Sequence, residues 1–328
     1  MTASIGTICA RVALALALIL RLNGIEPATA QTGFPSRPIT IVVNFTPGGP
    51  LDIMARSVAQ DVARALGQPI VVDNRAGAGG VIGANVVAKS APDGHTILFS
   101  IDTPFTVGPS LGQPLPFALT DFKPLLVLAV SGLTMGTHPS LGLATAQQLL
   151  AKGKASDVTF ASGGNGSPGH LAAAILKEKA GIKAIHVPYK GNAQAVGAVV
   201  AGEVNAGVLA TPGMLPHIQA SRVTPILVTS RARSPLLPQV PTAAEAGLPD
   251  VELEVLYVAL VPAATPEPVV QQLTAALQAA MAKPELQARL VQLDLNPAQE
   301  AGAAVTARLD ATRNRYAGTI KAAGMKAD

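Results

Sequence analysis

The sequence predicts an α/β protein of two lobes, each a mostly parallel sheet flanked by helices, with the chain crossing twice between them. Three observations predict it. Short β-branched runs alternate with alanine-rich helical stretches, the alternation falls into two blocks (about 38–110 and 155–230), and a long apolar run follows each block. Strand and helix in strict alternation, at roughly 25-residue intervals, imply βαβ units and parallel pairing. Two lobes joined by two crossings suit closure around a ligand better than a rigid scaffold.

In the first block, Ile39 to Phe45 reads as a buried strand and Pro50 to Leu66 as a helix. A strand over Ile70 to Asp73, a helix over Val81 to Lys89 and a strand over Thr96 to Ser100 follow. In the second block, strands are expected over Val158 to Ala161, Ala184 to Val187, Val204 to Leu209 and Thr224 to Thr229. Helices are expected over Pro168 to Ala180 and Asn192 to Ala201. Leu125 to Thr137 reads as a strand running from one lobe into the other, and Val251 to Val261 as the return. The C-terminal part is helical over Pro266 to Met281, Pro284 to Gln292 and Gln299 to Ala323, the first two opened by proline, which suits a first helical position. Residues 231–249, rich in proline and alanine, read as a surface excursion. The expected divisions are 1–30, 31–130 for the first lobe, 131–253 for the second, and 254–328 returning to the first.

Residues 1–30 do not read as part of the fold. Arg11, the nine-residue apolar run Val12 to Leu20 and the triplet Ala28-Thr29-Ala30 form the pattern of a cleaved secretory signal peptide. Nine apolar residues are too few for a membrane span, which needs about 20. The single cysteine, Cys9, lies ahead of that run, so the remainder of the chain has none. Disulfides, thiolate metal sites and cysteine nucleophiles are excluded together. Beyond residue 30, 22 basic side chains face 19 acidic ones, scattered singly. No stripe suited to nucleic acid or a membrane surface appears. Three tyrosines, seven phenylalanines and no tryptophan leave little with which to build a sugar platform or a quaternary-amine cage.

Two glycine-rich turns carry the chemistry. Thr46-Pro47-Gly48-Gly49-Pro50-Leu51-Asp52 follows the first strand. Ser162-Gly163-Gly164-Asn165-Gly166-Ser167-Pro168-Gly169-His170 follows the first strand of the second block. Glycine lets the backbone turn sharply and approach a ligand, and a proline-opened helix leaves its next amides free to attract an anion. Asp52 would cap amides or order water. In open α/β sheets, ligands sit beyond the carboxyl ends of the strands, so two such turns facing across a cleft would grip an anion from both sides. A third turn, Asn74 to Gly80, stands to line the same rim, with Arg75 in reach of a carboxylate. Taken singly, each turn is also what an ordinary βα connection looks like.

Motifs of catalysis are absent. There is no G-x-G-x-x-G at the first turn and no P-loop lysine. Asn165 stands where a hydrolase elbow around Ser167 needs its first glycine. The five histidines show no metal-ligand spacing, and no carboxylate pair falls in either turn. No cofactor, no metal and no catalytic residue are expected.

Collinear segments carry a family resemblance. They are Phe34 to Ile39, Pro47-Gly48-Gly49, Asp52 to Arg56, Val72 to Gly83 and Pro92-Asp93-Gly94. Gly164 to Pro168, His186 to Gly191, Leu215 to Ile218, Val240-Pro241-Thr242 and Glu245 to Pro249 complete the series. Through them the chain resembles the receptors of tripartite tricarboxylate transporters, the Bug-type periplasmic solute-binding proteins. The resemblance implies a Venus-flytrap fold, capture of a small organic carboxylate, and delivery to membrane transporter subunits or a sensor, from the periplasm and as a monomer. On this sequence it points to Thr46, Gly48, Gly49 and Asp52 in the first lobe and to Ser162, Asn165 and Ser167 in the second, with Asp102 and Thr103 at a strand end. Leu51 and Thr211, beside these turns and strand ends, are further candidates. Three departures stand out: Pro50 and Leu51 in place of glycine and threonine, Leu209-Ala210 in place of Asp-Asn, and Leu256 where a tryptophan is common. They suggest a less polar site, suited to an aromatic or longer-chain carboxylate. A sensor or partner-binding receptor is the alternative, and a hydrolytic enzyme a more remote one.

Overall fold

The computed structural model describes residues 33–112 and 114–326; the expected export signal lies outside them. Residues 37–328 form one compact unit, and of the unit that precedes it only Gly33–Ser36 are described. In chain order the first part runs β1 (Ile39–Val43), α1 (Pro50–Leu66), β2 (Ile70–Asn74), α2 (Val81–Ala88), β3 (Thr96–Ile101), the short α3 (Thr103–Thr106) and β4 (Phe122–Ser131). The second part holds β5 (Leu133–Thr137), α4 (Ala146–Ala155), β6 (Val158–Ser162), α5 (Pro168–Ala180), β7 (Ala184–Pro188), α6 (Asn192–Ala201), β8 (Ala206–Ala210), α7 (Thr211–Gln219) and β9 (Thr224–Val228). The chain then returns through β10 (Val255–Pro262), α8 (Glu267–Met281), α9 (Pro284–Val291), β11 (Asn296–Pro297) and α10 (Ala303–Ala322).

Two sheets result. The first has the order β11-β4-β10-β3-β1-β2 and the second β7-β6-β8-β5-β9. Read from the other end and without the short β11, the first follows the same plan as the second: an edge strand, the turn-bearing strand, a third strand, the incoming crossing strand, and a last strand. β1 is parallel to β2 and β3, and β6 to β7 and β8. β10 is antiparallel to β3 and β4, and β5 to β8 and β9. The expectation of mostly parallel sheets therefore holds only within the βαβ units. Parallel strands end at the interlobe face, whereas a strand arriving from the other lobe begins there, so it runs against its neighbours.

The central strands are apolar along their length because helices cover both faces. Ile39, Ile41 and Val43 of β1 and Ile97, Leu98 and Phe99 of β3 are wholly buried. Phe105, Phe117 and Phe122 meet edge to face or tilted at 5.4–5.8 Å between ring centres in the first lobe's core. Each helix has a physical start and stop. α1 opens with Pro50 and closes on Gly67, left-handed at φ 69°, whose amide reaches Ala63 O at 2.9 Å.

The expected crossing strand, Leu125 to Thr137, is two strands broken at Gly132. A Cβ on Gly132 would stand 2.7 Å from the Cβ of Ser230, so only glycine lets the outgoing and returning chains pass. Beside it the buried Thr229 joins both crossings. Its Oγ1 accepts from Leu133 N at 2.9 Å and donates to Leu253 O at 2.7 Å. α10 packs on both α3 and β4 of the first lobe and α5 of the second. Three helices escaped the sequence reading: the short α3 and the longer α4 and α7. α4 is announced by a capping box, Thr145 with Gln148, in a stretch where no strand pattern drew attention. α7 contains Pro216, which counts against a helix by ordinary rules. Among the described residues, no helix is long and apolar enough to cross a membrane.

Candidate functional site

The turn after β1 is built by three polar side chains. Asn44, fully buried, donates to Gly80 O at 2.9 Å and to Ser100 Oγ at 2.8 Å. It ties this turn to the third glycine turn and to the end of β3. Asn74 Nδ2 donates to Phe45 O at 3.1 Å, and Asn74 Oδ1 accepts from Arg56 Nη2 at 3.1 Å. Asp52 accepts from Gly48 N at 3.0 Å and from Arg56 Nε at 3.1 Å. Burial would raise the Asp52 carboxyl, but the bonds from Arg56, Gly48 and Asn74 outweigh it and hold the group below the ordinary range. Gly48 sits at φ 78°, where a side chain would be strained. Gly49 is the N-cap of α1 and has no side chain to cover the first amides, so the N–H groups of Leu51 and Asp52 face out of the helix.

The turn after β6 is held differently. Ser162 Oγ lies 2.6 Å from His186 Nε2 and 3.2 Å from Gly164 N, whose hydrogen it accepts. His170 stacks on His186 with ring centres 3.8 Å apart and planes 5° from parallel, and its Nδ1 accepts from Gly166 N at 3.2 Å. An imidazole nitrogen that accepts is unprotonated, so the bond from Gly166 belongs to a neutral His170. Burial, followed by the neighbouring His170, pushes His186 down to about 3. Ser167 caps α5 by accepting from His170 N at 3.4 Å, and Pro168 opens the helix.

The two turns face each other across a cavity of about 100 Å³, well above the ~10–15 Å³ that a single water occupies. Phe45, Thr46, Gly49, Leu51, Ile101 and Tyr257 approach it from the first lobe, and Gly163, Ser167, Gly169, Gly191, Asn192 and Ala210 from the second. The lobes meet closely, since a Cβ on Gly191 would lie 3.1 Å from Thr46 Oγ1. Among the described residues, no acidic, basic or histidine side chain lines the cavity. Burial keeps Tyr257 protonated by pushing its hydroxyl up to about 12. Anion-attracting character comes from backbone. Three helices, α1, α5 and α6, begin at this cavity, and the N-caps of α1 and α6, Gly49 and Gly191, carry no side chain.

Of the residues singled out from sequence, Thr46, Gly49, Leu51 and Ser167 line this cavity. Gly48, Asp52 and Ser162 stand behind the turns and shape them. Asn165 and Thr103 line a neighbouring cavity. Asp102 and Thr211 line neither. Asp102 is buried, accepts from Leu256 N at 3.0 Å and Thr106 Oγ1 at 2.9 Å, and is pushed by burial up to about 6. It therefore anchors the return strand β10. Thr211 Oγ1 lies 3.0 Å from Thr134 Oγ1, joining α7 to β5. Arg75, set at the rim from sequence, pairs with Asp73 at 2.8 Å. The helix α6 was expected from sequence, but its start was not expected in the site. Asn192 Oδ1 accepts from Ala210 N at 2.9 Å and so fixes the strand end beside the cavity. The signal was available in Gly191, a glycine between a strand and a helix in the same βα position as the other two turns.

Two sheets of one plan, two crossings and a cavity ringed by helix starts make up the two-lobed fold of the periplasmic binding-protein class. The family model for the tripartite tricarboxylate transporter family receptor matches residues 54–325, and the chain belongs to that family. A "UPF0065 protein in tcbD-tcbE intergenic region" of Pseudomonas sp. (strain P51) is 39% identical over 81% of this chain and 80% of its own. The structure of periplasmic binding protein BugD superposes with a TM-score of 0.83 at 32% identity, covering 89% of this chain and 99% of that one. A structure of an R. palustris protein with adipate superposes at 0.84 and 28% identity, with the same coverages. Members of this family are receptors working with membrane transporter subunits, not enzymes.

Proposed function

We propose that this protein captures a small organic carboxylate between its lobes and hands it to the membrane subunits of a tripartite tricarboxylate-type transporter. In this reading it acts as a monomer in the periplasm, after removal of residues 1–30. The observation that carries it is the convergence of three helix N-termini on a cavity without a charged side chain. Free amides and aligned dipoles there favour an anion, and a carboxylate matches two or three donors without a counter-ion. In this reading the amides of Leu51, Gly169 and Asn192 hold the carboxylate, with Thr46 and Ser167 beside it. Asp52 and Ser162 keep the turns in shape. Adipate in the R. palustris relative supports the ligand class.

The walls of the cavity favour an apolar body over a second polar group. Phe45, Pro50, Leu51, Ile101, Leu133, Val208, Leu209 and Val255 line it. The expected ligand is an aromatic or longer-chain acid. A thermal-shift screen of organic acids, followed by calorimetry on the hits, tests this. Saturating apolar carboxylates should raise the melting temperature by roughly 5 °C or more. A screen in which no acid does so, or in which aspartate and citrate surpass every apolar acid, would overturn it.

A further inference from the structure

The cleft has a second compartment. A cavity of about 150 Å³ lies beyond the first, lined among others by Val81, Thr103, Leu111 and Leu115 of the first lobe and Asn165 and Gly166 of the second. The same two segments border both cavities, each with different residues. The turn after β6 presents Gly163 and Ser167 to one and Asn165 and Gly166 to the other, and the end of β3 presents Ile101 to one and leads to Thr103 in the other. Phe45 stands at the partition. It lines the first cavity, while a Cβ built on Gly80 would lie 3.0 Å from its ring and 3.1 Å from Pro104, a wall residue of the second.

We propose that this second chamber receives the uncharged far end of a monocarboxylate whose charged end sits among the helix starts of the first. The proposal rests on the carboxylate reading above and narrows it to one charge and a longer body. Among the described residues, no acidic, basic or histidine side chain lines either chamber. A second carboxylate placed in the far chamber would lose its hydration without a partner, which is costly. Thr103 there is buried and its Oγ1 has no hydrogen-bond partner among the described residues, so this spare hydroxyl suits a neutral substituent. The chamber is also bounded by both lobes. A Cβ on Gly79 would come within 3.1 Å of Asn165 O, and one on Gly166 within 3.0 Å of Leu111. A tail lodged there touches both lobes and favours the closed form by its contacts with each.

Calorimetry on the protein with linear monocarboxylates of four to ten carbons, and with the matched α,ω-dicarboxylates, tests the proposal. Affinity should rise roughly fourfold per methylene until the second chamber is full. Each dicarboxylate should bind at least about tenfold more weakly than the monocarboxylate of its length. Val81→Phe, which fills the far chamber, should remove the gain for the long acids and leave butanoate unchanged. Phe45→Ala, which opens the partition, should shift the preferred length upward. Should either variant fail to melt cooperatively, the two series on the unaltered protein decide the matter. Acids that bind without dependence on length, or dicarboxylates that bind more tightly, overturn the second chamber and leave the carboxylate reading standing. Failure of every acid in both series to bind overturns both.

Discussion

In the first lobe the turn after β1 is held by an ionised carboxylate, Asp52, gripped by Arg56 and the Gly48 amide. In the second lobe the turn after β6, at the same place in the same strand order, is held by Ser162 and two neutral stacked histidines. The helix that follows differs as well. Gly49 has room on its side-chain side, the nearest atom to an added Cβ being Thr46 O at 3.5 Å, whereas a Cβ on Gly169 would meet Val208 O at 2.4 Å. Equivalent positions in the topology thus present the same thing to the cavity, an open helix start, by different means. One turn depends on charge and tolerates volume. The other depends on close packing and on uncharged imidazoles.

The largest effect should come from Gly169→Ala. The methyl has backbone on its far side, and the strand β8 cannot yield without moving the core, so a loss of about 3 kcal/mol is expected, read by denaturant unfolding. Loss below 1 kcal/mol would show that α5 can slide. Next comes Asp52→Ala, which removes the hydrogen bonds that Arg56, Gly48 and Asn74 make to a buried carboxylate; about 2 kcal/mol of stability and at least tenfold in acid binding should go. Unchanged ligand affinity in that variant would mean that the first turn keeps its shape without the clamp.

Acid should separate the two turns. His186 titrates near 6.5 when the chain is unfolded but near 3 when folded, so the folded protein refuses a proton that the unfolded chain accepts. Its contribution is present above pH 6.5 and is lost progressively as pH falls toward 3. Asp52, depressed by its partners, contributes above the ordinary carboxyl range and is lost only below it. Between pH 6.5 and 5 the second turn should therefore weaken first, by about 1 kcal/mol after allowing for partial exposure. Melting temperatures at both pH values, for the protein and for His186→Gln, measure it; equal slopes for the two proteins would assign the acid sensitivity elsewhere. The smallest effect is Gly49→Ala. At φ −78° the backbone accepts alanine, and only the weaker capping preference remains, about 0.5 kcal/mol by the same unfolding assay.

Much of this molecule is readable in one dimension, and the reasons are local. Pro50 and the Ser167-Pro168 pair mark helix starts because proline presets φ and serine caps amides, irrespective of what packs around them. Apolar runs such as Ile39 to Val43 announce buried strands for the same reason. Reading failed where a local rule met a tertiary exception. Pro216 lies inside a helix, and Thr211 and Asp102, polar residues at strand ends, turn into the protein to pin β5 and β10. Thr103 and Asn165 are near the first cavity in sequence yet open onto another, because the turn and the strand end have two sides.

By itself the sequence determined the alternation of strand and helix, the two lobes, the glycine turns and the family, since each is written in short-range periodicity, backbone chemistry or collinear motifs. Only the tertiary structure decided that crossing strands run antiparallel, that a third helix start joins the site, and that no charge faces the cavity. Those depend on which ends of strands meet and which way buried side chains turn, and both are set by packing between segments far apart in the chain.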